Sequence, residues 1–349
     1  MVLIFLFFGV QAYAVIPVGY YDGTDGQSGA ALKTKLYNTI KGHTEFTYGD
    51  LWTAFRSTDV RADGKVWDIY SNSTNFVFGT NQDAGSGGSA EGQYYNREHS
   101  FPKSWFGGEV APMYTDLFHL YPSDKWVNNS RGNSPFGNVQ VVTGFSANHY
   151  CEWGTSTESG SSLTVFEPAD ELKGDMARTY FYMVTRYENL VASWKSNLNT
   201  EMLGGNSYPA FSSWAIKVLL EWSRLDPVSA KERARNDAIY TNFQHNRNPF
   251  IDYPSLAEYV WGDSTTYAFH PSKYTAVSVV KSEVSLFTVW SEHGSLCVRT
   301  TVGKTIEIMD VTGKIITRSV ANQIETTFQS GNYRLLLVRV DNQVQKVVL

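Results

Sequence analysis

The side chains able to do polar chemistry concentrate in two stretches. The first is Asn96-Arg97-Glu98-His99-Ser100-Phe101-Pro102-Lys103-Ser104-Trp105-Phe106, and the second runs from Asp116 through His119, Asp124, Asn128 and Arg131 to Asn133. Glu98 offers a carboxylate. His99 beside it has an ordinary pKa of ~6.5, so it is largely neutral at pH 7 and able to take a proton from water. Asp124, Asn128 and Arg131 stand at i, i+4 and i+7, one face of a helix. A carboxylate and an amide oxygen are hard ligands suited to Mg²⁺ or Ca²⁺. With one Glu and a neutral Asn, such a cation keeps a local charge of about +1 and still attracts a phosphate. Strand geometry adds a constraint. Neighbours on a regular strand point to opposite faces, so Glu98 and His99 share a site only at a strand end, a bend or an edge.

Each residue also has a plainer reading. A single Glu-His pair is more often structural than catalytic, and His119 equally suits a buried, hydrogen-bonded core position. Asp124 suits a helix N-terminus, where the dipole favours a carboxylate. Phe101, Trp105, Phe106 and Trp126 are most simply core.

The elements that must position these groups follow from periodicity and punctuation. The second stretch reads as a short helix, with Pro122 in its first turn and Gly132 in the left-handed position past its end. Leu32, Leu36, Tyr37 and Ile40 predict a helix over 30–41, and Leu172, Met176, Met183 and Tyr187 predict another from 172. Two more are expected at 212–224 and 228–243, the latter opening on Ser229 and Glu232 at capping-box spacing. The Gly/Ser run at 82–92 reads as a flexible surface loop. After about residue 275 the pattern turns to β-branched alternation, as in Ile306-Glu307-Ile308 and Leu335-Leu336-Leu337-Val338, with turns at Thr312-Gly313-Lys314 and Asp341-Asn342. That predicts five to seven strands in a small antiparallel sandwich. Val302-Gly303-Lys304-Thr305 imitates the end of a phosphate-binding loop, but the glycine that motif needs is Val298 here.

The 349 residues carry 29 Lys+Arg against 34 Asp+Glu, a net charge of −5, which removes the argument from a basic protein drawn to a polyanion. Residues 173–250 are the only basic stretch of the body, read as a solvated helix face with part of it lining a groove. Fifty-one aromatic residues support a substantial core. Val2–Phe8 followed by Ala12-Tyr13-Ala14 reads as a signal peptide over 1–14, far short of the ~20 apolar residues a membrane helix needs. The expected domains are therefore 1–14, a body over 15–276 and a β-domain over 277–349, in an exported chain without stable membrane insertion. Cys151 and Cys297 fall in different domains and read as two small buried apolar side chains.

The two stretches, together with Phe166-Glu167-Pro168-Ala169-Asp170-Glu171-Leu172 and Gln244-His245-Asn246-Arg247-Asn248-Pro249-Phe250, resemble the bacterial endonuclease I family in collinear order over roughly residues 30–262. The resemblance implies an α+β fold, mainly helical with a ββα-metal (His-Me) finger, beside which the tail forms a small all-β sandwich. It implies a secreted, metal-dependent, non-specific endonuclease hydrolysing DNA, and RNA with it, to 5′-phosphate ends. His99 would be the general base, with Glu98 and Asn128 holding one Mg²⁺ (Ca²⁺ or Mn²⁺ being the alternatives). The family also places an arginine near the phosphate, in a loop that does not align with this chain; Arg131 is taken in its place, with Arg97 and Lys103 behind it as substrate-binding residues, and His119 and Asp124 in support. The family carries a second histidine where this chain has Phe118.

The tail pattern, with Gly331-Asn332-Tyr333 and Lys346-Val347-Val348-Leu349, is similar to the C-terminal sorting domain of type IX secretion. It implies recognition by that machinery and an extracellular or cell-surface location. The competing reading is a catalytically silent adhesin or carbohydrate-binding protein, whose aromatic residues would stack on sugars. A different metal hydrolase such as a zinc protease ranks lower still, since the chain has no His-Glu-x-x-His motif.

Overall fold

Helix α4 (Asp170–Arg186) has 14 of its 17 residues buried, on every side. A helix buried all round must find partners for its polar groups. Arg178 pairs with Glu232 at 2.5 Å, and Tyr182 donates to Asp116 at 2.9 Å. Around it lie α1 (Gly29–Ile40), α2 (Leu51–Thr58) and, after the elements of the site, α5 (Glu188–Trp194), α6 (Ser213–Leu225), α7 (Ala230–Ala238), α8 (Pro249–Asp252) and α9 (Leu256–Val260). The helix α6 runs along α4, and α1 packs against both α4 and α9. Ser229 and Glu232 form the expected capping box of α7. The helix stops at Ala238, however, and Ile239–Phe243 continue as a π-helical turn.

This computed structural model describes residues 16–194, 196, 201–273, 287–292, 295–310, 314–329, 333, 335–340 and 343–348. The segment read as a signal peptide and the turn residues Thr312-Gly313 and Asp341-Asn342 lie outside them.

Strands β1 (Tyr95–His99) and β2 (Leu120–Asp124) form an antiparallel pair, with Glu98 opposite Tyr121 and His99 opposite Leu120. The chain passes from β2 directly into α3 (Lys125–Arg131). The helix is thus shorter than its sequence suggests: Pro122 belongs to β2, and Asp124 is the N-cap. Its carboxylate accepts from Trp126 N at 2.9 Å and Val127 N at 3.0 Å, two donors the helix itself leaves open. A second antiparallel sheet, β3 (Val141–Phe145), β4 (Glu152–Ser156) and β5 (Leu163–Glu167), follows in sequence order.

The Gly/Ser loop is anchored rather than free. Gly92 N donates to Asp124 at 2.7 Å, and Asp83 pairs with Lys125 at 2.7 Å. Gly88 sits at φ +83° against the Lys125 stem, where a Cβ would collide.

The chain divides into two compact units, 1–276 and 277–349. The second contains β6 (Phe287–Glu292), β7 (Ser295–Thr300), β8 (Thr305–Met309), β9 (Ile315–Val320), β10 (Glu325–Gln329), β11 (Leu335–Val340) and β12 (Gln343–Val348). They form two antiparallel sheets, ordered β10-β7-β6 and β12-β11-β8-β9. Leu296 and Val298, Ile306 and Ile308, and Leu336, Val338 and Val340 alternate into its core at the strand period of two. Val302-Gly303-Lys304 forms the turn between β7 and β8, with no helix after it. Cys151 is buried in the first unit, Cys297 lies in the second, and both are free.

Candidate active site

Glu98 projects from β1 into a buried polar cluster. Its Oε1 accepts from the Tyr70 hydroxyl at 2.7 Å and from Arg131 Nη1. The Arg131 side chain is fully buried; Nη2 also donates to Ser100 O at 2.7 Å, and the guanidinium lies 4.2 Å over the Phe136 ring. Burial opposes its charge, but Tyr70 and Glu98 beside it hold it protonated above the ordinary range. One turn earlier on α3, Asn128 Nδ2 donates to Asn96 Oδ1 at 2.8 Å, and Ser123 Oγ approaches the same oxygen at 3.3 Å. Asn96 and Glu98 are two apart on β1 and share a face. Among the described residues, Glu98 Oε2 and Asn128 Oδ1 accept no hydrogen bond. Two hard oxygens, one charged and one neutral, are therefore left available, the donor set a Mg²⁺-like cation prefers. Among the described residues no cluster of three His, Cys, Asp or Glu offers an alternative.

His99 is the last residue of β1, which meets the strand-end condition set by the alternation rule. Its Nε2 lies 2.9 Å from the carbonyl oxygen of Tyr114. A carbonyl only accepts, so Nε2 carries the proton and Nδ1 keeps its lone pair. The imidazole is stacked at 16° on Tyr114 and on Tyr48, with centroids 5.1 and 5.9 Å away. Burial, then the nearby His119, Lys103 and Arg97, push its pKa well below the usual value and keep it neutral. Arg97, two residues back, stacks on the same Tyr48 ring, its guanidinium carbon 3.5 Å from the centroid. Lys103 is half-buried, lies 5.2 Å over the Tyr114 ring and pairs with Glu109 at 2.9 Å. His119 is fully buried, with its ring 5.4 Å from that of His99. Its Nε2 holds the Met113 carbonyl at 2.7 Å, so the two histidines secure consecutive carbonyls of the 3-10 turn Met113–Thr115.

The family model described as Endonuclease I matches residues 28–255. The chain is 38% identical over 246 residues to the extracellular ribonuclease of Bacillus subtilis, covering 69% of this chain and 78% of the relative. It is 38% identical over 247 residues to that of Bacillus amyloliquefaciens, with the same coverage. A more distant relative, Endonuclease-1 of Buchnera aphidicola, is 25% identical over 138 residues, 39% of this chain and 44% of the relative. The chain belongs to the endonuclease I family.

It is accordingly a nuclease, and the reading as a silent adhesin is set aside. Within the nuclease, the predicted residues fall into two sets of contacts at the end of β1: Glu98, Asn128 and Arg131 belong to the buried polar cluster, and Arg97, His99 and Lys103 gather around the Tyr48 and Tyr114 rings. Arg131, expected beside a phosphate, is enclosed by protein groups. Its buried guanidinium is committed to Glu98 and to the Ser100 carbonyl. Asp124 turns its carboxylate back onto the backbone of α3 and Gly92.

Four arginines of the basic stretch at 173–250 are internal in the nuclease, while Lys217 and Arg224 are exposed. Arg178, Arg186, Arg235 and Arg247 are buried; Arg178, Arg235 and Arg247 pair with carboxylates, and Arg186 donates to His43 Nδ1 at 3.0 Å. Gln244 reaches Asp116 at 3.0 Å, and Asn248 caps α8, so that motif holds the core together. Phe118 packs on Tyr182, with ring centroids 4.5 Å apart.

Tyr48, Tyr70 and Tyr114 were not legible as site residues. Tyrosines are frequent in this chain, and nothing in their spacing sets these three apart. Asn96 had one usable signal, its i−2 position before Glu98.

Proposed function

We propose that this nuclease is a secreted, metal-dependent endonuclease that hydrolyses phosphodiester bonds of RNA and DNA to 5′-phosphate ends. The observation that carries the mechanism is the 2.9 Å contact between His99 Nε2 and the Tyr114 carbonyl. It commits the imidazole to one tautomer, with Nδ1 available to take a proton from a water aligned with the leaving 3′ oxygen. The depressed pKa of His99 keeps that lone pair free at neutral pH.

The pairing of β1 with β2, followed directly by α3, supports reading these three elements as a ββα-metal finger. Glu98 Oε2 and Asn128 Oδ1 would hold one Mg²⁺, Ca²⁺ or Mn²⁺. Bound there, a divalent cation supplies positive charge against the negative charge that builds on the phosphorus centre and the leaving oxygen. Arg131 and Tyr70 fix the other oxygen of Glu98 and so orient the carboxylate. Arg97 and Lys103 bind the sugar-phosphate backbone, which carries little base information, so sequence preference is slight.

The substrate class is supported by relatives named extracellular ribonucleases and Endonuclease-1. The two extracellular ribonucleases also support export. The second unit is proposed as the accessory β-domain that serves export, with 1–14 as a signal peptide. The deciding experiment is conversion of supercoiled plasmid and of single-stranded RNA by the purified protein, with Mg²⁺, with chelator, and with His99→Ala. Cleavage that persists in chelator, or without His99, sinks the mechanism.

A further inference from the structure

Tyr48 lies outside both motif stretches, yet it touches two of the residues they contain. It lies within a turn closed by Asp50, whose carboxylate accepts from Thr47 N at 2.9 Å and Thr47 Oγ1 at 2.6 Å. Its ring stacks on Tyr114 at 4.5 Å and 24°, and on His99 at 5.9 Å and 16°. The Arg97 guanidinium carbon sits 3.5 Å from its centroid and 4.2 Å from that of Trp52, on α2. Arg97 Nη1 donates to the Tyr48 carbonyl at 2.6 Å. Among the described residues the other N–H groups of Arg97 have no acceptor, and no carboxylate pairs with it.

A guanidinium donates in its own plane. Rings against its face leave only the edge for an anion, and one N–H on a fixed carbonyl sets the direction of that edge. An ammonium or an unstacked arginine would have no such restriction. The half-buried, unpaired cation thus has its donors pre-aimed beside the histidine that the same ring supports.

We propose that Tyr48 is a positioning residue that presents the edge of Arg97 to a backbone phosphate of the substrate, in register with His99. This rests on the nuclease reading above and adds to it how one phosphate is held and by which side chain that hold is maintained.

The test is binding of a fluorescein-labelled single-stranded DNA 12-mer to the full chain in chelator, followed by anisotropy across salt concentrations. Each phosphate contact to a single strand contributes about 0.7 to the slope of log K against log salt. Tyr48→Leu should lower the slope by about that much, Tyr48→Phe should retain it, and Tyr48→Leu added to Arg97→Ala should change nothing further. With Mg²⁺, Tyr48→Leu should also raise KM severalfold.

An unchanged slope in folded Tyr48→Leu overturns the proposal even if activity falls, because a merely structural tyrosine lowers the active fraction without removing a phosphate contact. Should Tyr48→Leu fail to fold, pentafluorophenylalanine at position 48 keeps the ring shape and reverses its quadrupole; the same loss of slope is expected, and a full slope refutes the role. If the unaltered protein neither binds the 12-mer nor cleaves plasmid, the nuclease mechanism fails and this inference falls with it. A wild type that does both, beside a Tyr48→Leu variant with full slope, rejects this inference alone.

Discussion

His99 and Tyr114 meet twice: the imidazole donates through Nε2 to the Tyr114 carbonyl at 2.9 Å and stacks on the Tyr114 ring at 16°. One contact selects the tautomer and the other the ring plane. Together they hold the Nδ1 lone pair in a single direction, which a general base requires. Replacing His99 with Ala should lower turnover by about 10²- to 10⁴-fold, the usual yield of positioned proton transfer. The variant should still fold, with its far-ultraviolet spectrum unchanged and its thermal midpoint lowered by the loss of a buried ring. Turnover close to wild type in a plasmid-nicking assay would remove His99 from the chemistry.

Asn128 keeps its amide nitrogen on Asn96 and leaves its oxygen available. Asn128→Ala should raise the Mg²⁺ concentration needed for half-maximal activity at least about tenfold, the lower end of what losing a supporting group around a metal costs. The check is a metal titration at saturating substrate. An unshifted titration curve excludes Asn128 as a ligand.

Arg131 and Glu98 form a buried ion pair, so breaking it leaves a carboxylate without its partner. Arg131→Met should cost about 3–5 kcal/mol in urea unfolding measured in chelator. If stability holds while KM rises steeply, Arg131 is a phosphate contact after all.

Asp68 is buried, and desolvation lifts its carboxyl to about 7, although it accepts from Tyr70 N, Asp124 N and Thr74. Between the unfolded value of 3.8 and the folded value of about 7, the native state holds a proton that the unfolded chain releases. Stability therefore falls as pH rises through that window, by on the order of a few kcal/mol in total. Asp68→Asn should flatten that segment of a plot of unfolding free energy against pH. A slope identical to wild type between pH 5 and 7 shows that Asp68 does not titrate there.

The two units have separate apolar cores, one around α4 and one between the sheets of the β-domain. Deleting 277–349 should leave a folded, active nuclease and abolish export. Loss of the far-ultraviolet helical signal in the truncated protein would make the second unit part of the body's folding instead.

The sequence by itself determined the elements whose signals are local. Apolar spacing located α1, α4 and α6, Ser229 and Glu232 located the start of α7, and alternation located the strands of the second unit, because these depend on residues three or four, or two, apart. It also placed Glu98, His99 and Asn128 in the family's motif. The boundary between β2 and α3 was not legible, because Pro122 suits a helix start as well as a strand whose ladder happens to tolerate it. Nor was the fate of the arginines. Arg131 and Arg97 are alike as residues, and only tertiary structure buries one against Glu98 and leaves the other half-buried on Tyr48 without a carboxylate. The tyrosines that hold the site lie 28, 51 and 15 residues from the groups they touch, Tyr70 to Glu98, Tyr48 to His99 and Tyr114 to His99. No local pattern encodes such contacts, because they are set by how strands, turns and helices pack after each has formed.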